Sequence, residues 1–222
     1  MGFNVIDMET WPRRSHYEYY MNQVRTSFQV TKFLDVSELV SFCRESGIRF
    51  QPAMIYLIMK GINSMPEFRM ALDREGRPGY YDVAHAQYTV FHEDDKTFSD
   101  LWTYYDENPY IFCRSYMKDV EEYKDARGIK VKPGRPEMAA CISCVPWLSF
   151  DAICFDTPGP GPFFLPIINF GRYEEKDGRL MMPFAVYINH AAADGYHVSK
   201  LINGLQSDID SVRRIFDKYR GE

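Results

Sequence analysis

Hydrophobic residues recur along this chain with two different periods, and these periods predict where its strands and helices lie. Alternate residues from Leu180 to Ile188 are apolar, as on the buried face of a β-strand. From Val198 to Phe216 the apolar residues instead recur every three or four positions, as they do on a helix. The same patterns predict further strands at 28–34, 68–72, 88–92, 138–150 and in the apolar run 163–170, and helices near 12–20 and at 36–43, 52–65 and 104–123.

Strands and helices are interspersed along the whole chain, so the sequence predicts the α/β class, with one mixed β-sheet and helices packed on it. Pro158 to Pro162 alternates proline with glycine, which indicates a loop. No internal repeat, low-complexity tract or linker divides the sequence. We therefore expect a single domain spanning residues 1–222.

Composition and charge exclude several functional classes. Hydrophobic residues make up 45% of the chain and charged residues 26%, as in ordinary globular proteins. A net charge of −5 and the lack of long basic runs argue against a nucleic-acid-binding protein. No apolar stretch approaches the length of a membrane span, and the N-terminus does not resemble a signal peptide. We expect no membrane association and a cytoplasmic location.

The cysteines indicate neither a disulfide framework nor a metal site. The five cysteines are an odd number, scattered along the chain. Cys141 and Cys144 have the spacing of half a zinc site, but no second pair or suitably spaced histidine follows. Their apolar surroundings favour a buried strand. Sixteen Tyr, sixteen Phe and three Trp are enough to line an apolar ligand pocket as well as a core.

His190 is the main candidate for chemistry. It follows the alternating strand and precedes the helical segment, with three alanines and then Asp194-Gly195 between them. Histidine has an unperturbed pKa near neutrality, so a positioned imidazole can accept a proton at physiological pH. A single histidine is more often a core or turn residue, and we expect that structural role for the other four, His16, His85, His92 and His197.

The rest of the chain places His190 in a known family context. The matching segments are Trp11–Tyr20, Pro52–Ile58, Pro66–Ala71, Tyr88–Glu93, Thr97–Ser99, Pro146–Phe150 and His190–Val198. Together they resemble the chloramphenicol acetyltransferases over nearly the whole chain. The His-x-x-x-Asp-Gly element alone is less specific, because dihydrolipoamide acyltransferases and condensation domains share it. The resemblance implies a two-layer sandwich of the CoA-dependent acyltransferase type, in which helices cover a mixed sheet.

The resemblance also implies a reaction. In this family acetyl-CoA is the co-substrate, no covalent enzyme intermediate forms and no metal is required. His190 would be the general base that takes the proton of an acceptor hydroxyl. Asp194 could be imagined as orienting the imidazole, but the family uses this carboxylate structurally, paired with the arginine that matches Arg13.

Further roles follow from the resemblance alone. Tyr20 and Phe98 match residues that line the acceptor pocket. Tyr173 matches a residue in contact with CoA, and Arg172 and Arg49 match basic positions near its phosphates, which suits the bidentate geometry of arginine. Family members are homotrimers with active sites at subunit interfaces, so we expect His190 to face a pocket formed largely by a neighbouring chain.

Three residues depart from the family pattern. Asn189 stands where the motif usually has a first histidine, Ala152 replaces a serine that stabilises the oxyanion, and Asn169 replaces a threonine on the same side. An oxyanion donor can contribute about 10²–10³ to kcat, and the Asn169 amide can still donate. Two alternatives to chloramphenicol acetylation therefore stay open. One is an acyltransferase with a different small hydroxyl or amine acceptor, and the other is a CoA-binding protein without catalysis.

Overall fold

A computed structural model describes residues 2–157 and 162–221, and the element boundaries below refer to that part of the chain. The strands are β1 (Phe3–Val5), β2 (Ser27–Asp35), β3 (Met70–Leu72), β4 (Pro78–Tyr81), β5 (His85–Phe91), β6 (Phe98–Thr103), β7 (Ala139–Val145), β8 (Ile167–Gly171), β9 (Glu174–Lys176) and β10 (Arg179–Asn189). The helices are α1 (Arg14–Asn22), α2 (Ser37–Ser46), α3 (Phe50–Asn63), α4 (Pro109–Glu122), α5 (Gly195–Asp210) and α6 (Val212–Asp217). A 3₁₀ helix, Pro66–Arg69, lies between α3 and β3.

The main sheet is mixed, which confirms the predicted fold class. Its strand order is β2-β10-β8-β7-β5-β6, and the short β9 also pairs with β10. β10 is antiparallel to β2 and β8, whereas β7 runs parallel to both β8 and β5. A second, antiparallel sheet has the order β1-β4-β3. The single domain over 1–222 stays a prediction.

Successive side chains of β10 point to opposite faces of the main sheet. Met182, Phe184 and Ile188 are each 0% exposed and lie in one hydrophobic cluster with Ile55 of α3 and Leu201 of α5. The odd-numbered residues of β10 therefore point to the opposite face, which we call the outer face of the sheet.

Part of the outer face is covered by the chain that follows β7. A Cβ atom added at Gly171 would lie 2.6 Å from the carbonyl oxygen of Leu148 and 2.9 Å from the ring of Phe150. Only glycine allows the backbone to approach β8 this closely. The segment that carries Phe150 and Ala152 is thus packed over the outer face.

Proline residues set several element boundaries that the hydrophobic pattern alone predicts wrongly. β7 ends at Val145 and not at 150, because Pro146 cannot donate to the sheet. α4 begins at Pro109 and not at 104, with Asn108 as its cap, whose side chain accepts the Tyr110 N–H at 3.0 Å. Likewise the apolar run 163–170 forms a strand only from Ile167, after Pro166, and the strand expected at 68–72 begins at Met70, after the 3₁₀ helix that Pro66 starts.

Other predicted elements are present with shifted ends. The C-terminal helix is interrupted at Ser211, where the backbone (φ −109°, ψ 14°) leaves the helical region. β6 escaped prediction because its core-facing residues include Ser99 and Thr103, each 1% exposed. Their hydroxyls bond to His92 at 2.9 Å and Tyr88 at 2.8 Å. β1, β4 and β9 are too short to show a period. Of the predicted 158–162 loop, residues 158–161 lie outside the described residues.

None of the helices between residues 2 and 157 or between 162 and 221 has both the length and the apolar character needed to cross a membrane.

Candidate active site

His190 lies in a tight turn between β10 and α5. Its backbone N–H donates to the Thr26 carbonyl at 3.0 Å, which continues the pairing with β2 by one residue. The Asn189 side-chain oxygen accepts the Ala191 N–H at 2.9 Å, and its carbonyl accepts from Ala192 and Ala193. Asn189 thus closes the turn, a role that sequence reasoning missed although asparagine commonly bonds to its own backbone in turns.

Two aromatic rings fix the imidazole of His190. The Tyr20 ring of α1 is stacked on it, with centroids 3.8 Å apart and planes 10° from parallel. The Phe28 ring of β2 lies 4.8 Å away at 47°. Contacts of this kind contribute about 0.5–1.5 kcal/mol each. The sequence predicts a strand at Phe28 but not its contact with His190. That contact follows from the pairing of Phe28 with Ile188, two residues before His190.

The two ring nitrogens of His190 have different environments. Nδ1 is buried and has no hydrogen-bond partner among residues 2–157 and 162–221. Nε2 is not enclosed in this way, so it is the nitrogen that can meet a substrate. A buried Nδ1 beside an accessible Nε2 is an arrangement in which a single nitrogen can exchange a proton with a bound acceptor.

Asp194 contacts the first turn of α5 and Arg13. No hydrogen bond or ion pair joins it to His190 in the described part of the chain. It caps α5 by accepting the Tyr196 N–H at 3.0 Å, and its other oxygen lies 3.5 Å from Nη2 of Arg13. Arg13 also donates to the Ala192 carbonyl of the turn. Burial would raise the pKa of Asp194, but the neighbouring His197 and Arg13 outweigh it and hold that pKa below its ordinary value.

The other four histidines lie outside the turn between β10 and α5. His85 accepts the Tyr105 N–H through Nδ1 at 2.9 Å, and burial lowers its pKa to about 4. His92 bonds to the buried Ser99, and His16 is exposed on α1. His197 contacts Asp194 and Glu67.

The two cysteines with zinc-like spacing, Cys141 and Cys144, lie in β7. Burial raises the pKa of Cys144 to about 12 and also raises that of Cys141, so both thiols stay protonated at neutral pH. In residues 2–157 and 162–221 no three His, Cys, Asp or Glu side chains are grouped as a metal site would need.

A cleft of about 560 Å³ adjoins the His190 turn on the outer side. Tyr20, Tyr187 and Asn189 line it, together with the polar residues Asn22, Arg25, Thr26, Ser27, Asp156 and Thr157. The Tyr187 hydroxyl lies 2.6 Å from Oγ1 of Thr157, so this wall is held by a hydrogen bond. We call this cleft and the His190 turn the base half-site.

Phe98 lies in a different cleft, of about 580 Å³, at the other edge of the sheet. Phe91, Phe98 and Trp147 line it with aromatic surface, and the Phe98 side chain is 46% exposed. Thr89 and Ser143 contribute hydroxyls 3.2 Å apart. The structure therefore does not bring Tyr20 and Phe98 together within one chain.

The predicted CoA-binding residues lie at the same end of the strands as Phe98. Arg49 lines the Phe98 cleft at the start of α3. Its neighbour Phe50 contacts the Tyr173 ring, with centroids 5.7 Å apart. Arg172 is exposed and paired with Glu174 at 2.8 Å. We call the Phe98 cleft with Arg49, Arg172 and Tyr173 the binding half-site.

Sheet geometry separates the two half-sites widely. β10, which ends at the base, and β6, which begins at Phe98, are four strand spacings apart, or about 19 Å. The strand pairing also places His190 and Phe98 at opposite ends of the strands. His190 and Phe98 of one chain therefore do not face a common cleft.

Of the two residues expected on the oxyanion side, Asn169 lies on the outer face, and Ala152 follows the segment that packs over it. Asn169 of β8 is 2% exposed, and its Nδ2 has no partner among the described residues. A buried donor without a partner is costly, which suits a group kept for a ligand. Ala152 is exposed and follows Phe150, whose ring lies over Gly171, two residues beyond Asn169. Ala152 itself offers no side-chain donor.

Comparisons with known proteins identify relatives over nearly the whole chain. A model of the family described as chloramphenicol acetyltransferase matches residues 1–206. A chloramphenicol acetyltransferase of Clostridium perfringens is 35% identical over 206 residues, which are 93% of this chain and 94% of that protein. A chloramphenicol acetyltransferase of Staphylococcus aureus is 37% identical over 209 residues, 94% of this chain and 100% of that protein.

Solved structures show the same fold. A chloramphenicol acetyltransferase structure superposes with a TM-score of 0.80 at 21% identity, covering 94% of this chain and 100% of that one. The truncated catalytic core of a 2-oxoacid dehydrogenase multienzyme complex from Thermoplasma acidophilum has a TM-score of 0.64 at 16% identity, covering 93% and 97%. At these identities the likeness concerns the fold alone.

Replacing Asp194 by asparagine separates the ion pair from the helix cap. Asparagine still offers an oxygen to the Tyr196 N–H but carries no charge, so we expect the variant to unfold more easily at pH 7 by about 1 kcal/mol. Because the pKa of Asp194 is lowered in the folded protein, its contribution is complete above the unfolded-chain pKa of about 4. It is lost as the pH falls further, through the folded-state pKa.

Urea unfolding of both proteins between neutral pH and about pH 3 measures this difference. The matched control is Asp217→Asn, which removes an exposed carboxylate at the end of α6 and should change stability little at any pH. A difference for Asp194→Asn that does not shrink in acid would contradict the ion pair.

Proposed function

The chain belongs to the chloramphenicol acetyltransferase family, and from that premise we propose that it transfers the acetyl group of acetyl-CoA to a hydroxyl of chloramphenicol. The setting of His190 is the observation that carries the proposal. Its ring is clamped by Tyr20, its Nδ1 is enclosed, and Asp194 is engaged with Arg13 instead. That arrangement gives the chain one positioned base.

The proposed reaction uses this base twice. Acetyl-CoA supplies the activated acetyl thioester. His190 Nε2 takes the proton of the acceptor hydroxyl as its oxygen attacks the thioester carbonyl, because an un-ionised hydroxyl is a poor nucleophile. When the tetrahedral intermediate collapses, the C–S bond breaks and the imidazolium returns the proton to the leaving thiolate. The products are the acetyl ester and free CoA, and the enzyme regains its initial state.

The binding half-site fits the proposed substrates in chemistry and size. A volume of about 580 Å³ lies within the range of drug-sized ligand sites, and aromatic walls suit an aromatic acceptor. We assign the phosphates of CoA to Arg49 and Arg172, and a further contact with CoA to Tyr173.

The separation of the half-sites supports a homotrimer, as the family resemblance implies. With about 19 Å between the relevant strands, the His190 of one chain can serve only the binding half-site of another. The proposal therefore includes an active site shared between neighbouring copies, in the cytoplasmic location expected from the sequence.

A different acceptor is the second candidate function, and Ala152 is the observation that favours it. Without the serine hydroxyl at this position, the buried amide of Asn169 is the remaining side-chain donor that we assign to the oxyanion. The polar lining of the base half-site would also suit a more hydrophilic hydroxyl or amine acceptor. A CoA-binding protein without catalysis is a poorer fit, because the Arg13–Asp194 brace and the clamped His190 are both present.

Substituting alanine for His190 tests the base. Purified protein is supplied with acetyl-CoA and chloramphenicol, and free thiol is followed with time. We expect the wild type to turn over and His190→Ala to lose roughly 10²–10⁴ in kcat, since the proton acceptor is gone. His16→Ala, which removes an exposed histidine, is the control and should retain activity. A wild type that releases no thiol would contradict chloramphenicol as the acceptor and favour a different hydroxyl or amine.

Hybrid oligomers test the shared site. Copies with His190→Ala and copies with Phe98→Ala are given different tags, expressed together and purified through both tags. In a hybrid, an intact His190 can face an intact Phe98 cleft, so we expect more activity than in either variant alone. A monomer in sedimentation, or hybrids no more active than their parents, would contradict shared active sites.

Ala152→Ser tests the oxyanion assignment. A hydroxyl there would add a donor to the tetrahedral intermediate, so chloramphenicol turnover should rise, by up to about 10²-fold, with little change in KM. Ala71→Ser on β3 makes the same chemical change in the small sheet and should have no effect. An unchanged or lower kcat for Ala152→Ser would refute the assignment.

A further inference from the structure

His197 links two carboxylates beside the turn that carries the base. It lies in the first turn of α5 and is 9% exposed. Its Nδ1 is 2.9 Å from an oxygen of Asp194, and its Nε2 is 3.4 Å from an oxygen of Glu67 in the 3₁₀ helix. Nδ1 is also 3.3 Å from the backbone N–H of Asp194, so this nitrogen meets both the backbone and the carboxylate of the α5 cap, while Nε2 faces Glu67. The imidazole connects the start of α5 to an element that is distant in sequence.

The same cluster holds the turn after His190. Asp194 also pairs with Arg13, and Arg13 donates to the Ala192 carbonyl. The cluster thus joins the starts of α1 and α5 and the 3₁₀ helix, and it contacts the turn at one peptide group.

Apart from apolar packing in the core and backbone bonds to β2 and Asn189, the polar contacts that hold the turn come from this cluster. Ala191, Ala192 and Ala193 are each 0% exposed and have no polar side chain. At the β10 end, the Thr26 carbonyl accepts the His190 N–H, and Asn189 accepts the N–H groups of the three alanines. At the α5 end, the polar anchors of the turn are Arg13 and Asp194. A shift of Asp194 would therefore move Ala192 and change the angle at which His190 meets its substrate.

We propose that His197 is a positioning residue for the proposed acetyl transfer. It holds Asp194 against Arg13 and, through Ala192, keeps the imidazole of His190 in its productive orientation. Glu67 anchors the far side of the His197 ring. The inference rests on the proposed function, but it concerns the placement of the turn and so has consequences that do not depend on the identity of the acceptor.

Substituting His197 by asparagine or by glutamine tests its two contacts separately. Asparagine places an N–H close to where Nδ1 lies and so retains the Asp194 contact. Glutamine reaches further, towards the position of Nε2, and retains only the Glu67 contact. Phenylalanine fills the space and retains neither contact. Glu67→Gln removes the anchoring charge, and its matched control is Glu75→Gln, an exposed residue between β3 and β4.

The kinetic expectation is a loss of kcat with KM preserved. A small misplacement of a base can cost up to about 10²-fold, and we expect His197→Phe to lower kcat by about 10-fold, with KM for both substrates within about twofold of the wild type. His197→Gln should behave like His197→Phe. His197→Asn should recover kcat to within about threefold, Glu67→Gln should show a smaller loss than His197→Phe, and Glu75→Gln none.

Hydrogen exchange of backbone amides supplies a readout that needs no substrate. In His197→Phe the amides of Ala192, Ala193 and Tyr196 should exchange faster than in the wild type, while those of β2 and α6 keep their rates. This result would support the positioning role even if the wild type did not acetylate chloramphenicol. A wild type without that activity would refute only the proposed acceptor.

A purely structural role for His197 predicts different results. It would lower the melting temperature and the yield of folded protein, but kcat for each folded active site and the exchange of the turn would match the wild type. That outcome would overturn the proposal, as would a His197→Asn variant no better than His197→Phe in both measurements.

Discussion

The register of β10 is the constraint on which the other features of this protein depend. The strand pairs with β2 on one side and with β8 on the other, and its even-numbered residues are buried against α3 and α5. A shift by one residue would exchange the two faces of the strand and expose its apolar side chains. Since about 25 cal/mol is gained for each Å² of apolar surface buried, the core permits one register only. That register brings His190 to the end of the strand, beside Tyr20 and Phe28.

His190, the proposed base, is held by several neighbours and not by a single partner. Its plane is set by the Tyr20 ring, its backbone by Thr26 and Asn189, and the far end of its turn by the Arg13–Asp194 pair. Asp194 beside a histidine suggests a relay of the Ser-His-Asp kind. The carboxylate is instead used to cap a helix and to neutralise a partly buried guanidinium, so it stabilises the site without contacting the base.

The two half-sites proposed for this acetyltransferase-family protein lie far apart within one chain. The sheet keeps the base and the aromatic cleft at Phe98 at opposite ends of strands about 19 Å apart. This separation is the structural reason for proposing an active site shared between copies. The unpaired amide of Asn169, on the outer face, is the donor that we propose for the oxyanion.

The sequence by itself determined the α/β class, most of the longer elements and the candidate base, because amphipathic periods and a motif are local properties. It missed β6, whose buried Ser99 and Thr103 hide the alternation, and it misplaced ends where Pro146 and Pro109 override hydrophobicity. Only the tertiary structure decided which residues share a site. It stacked Tyr20 on His190, placed Phe98 far from both, and tied His197 to Glu67. Such neighbours come from different segments, and only the pairing of strands and the packing of helices set the distances between them.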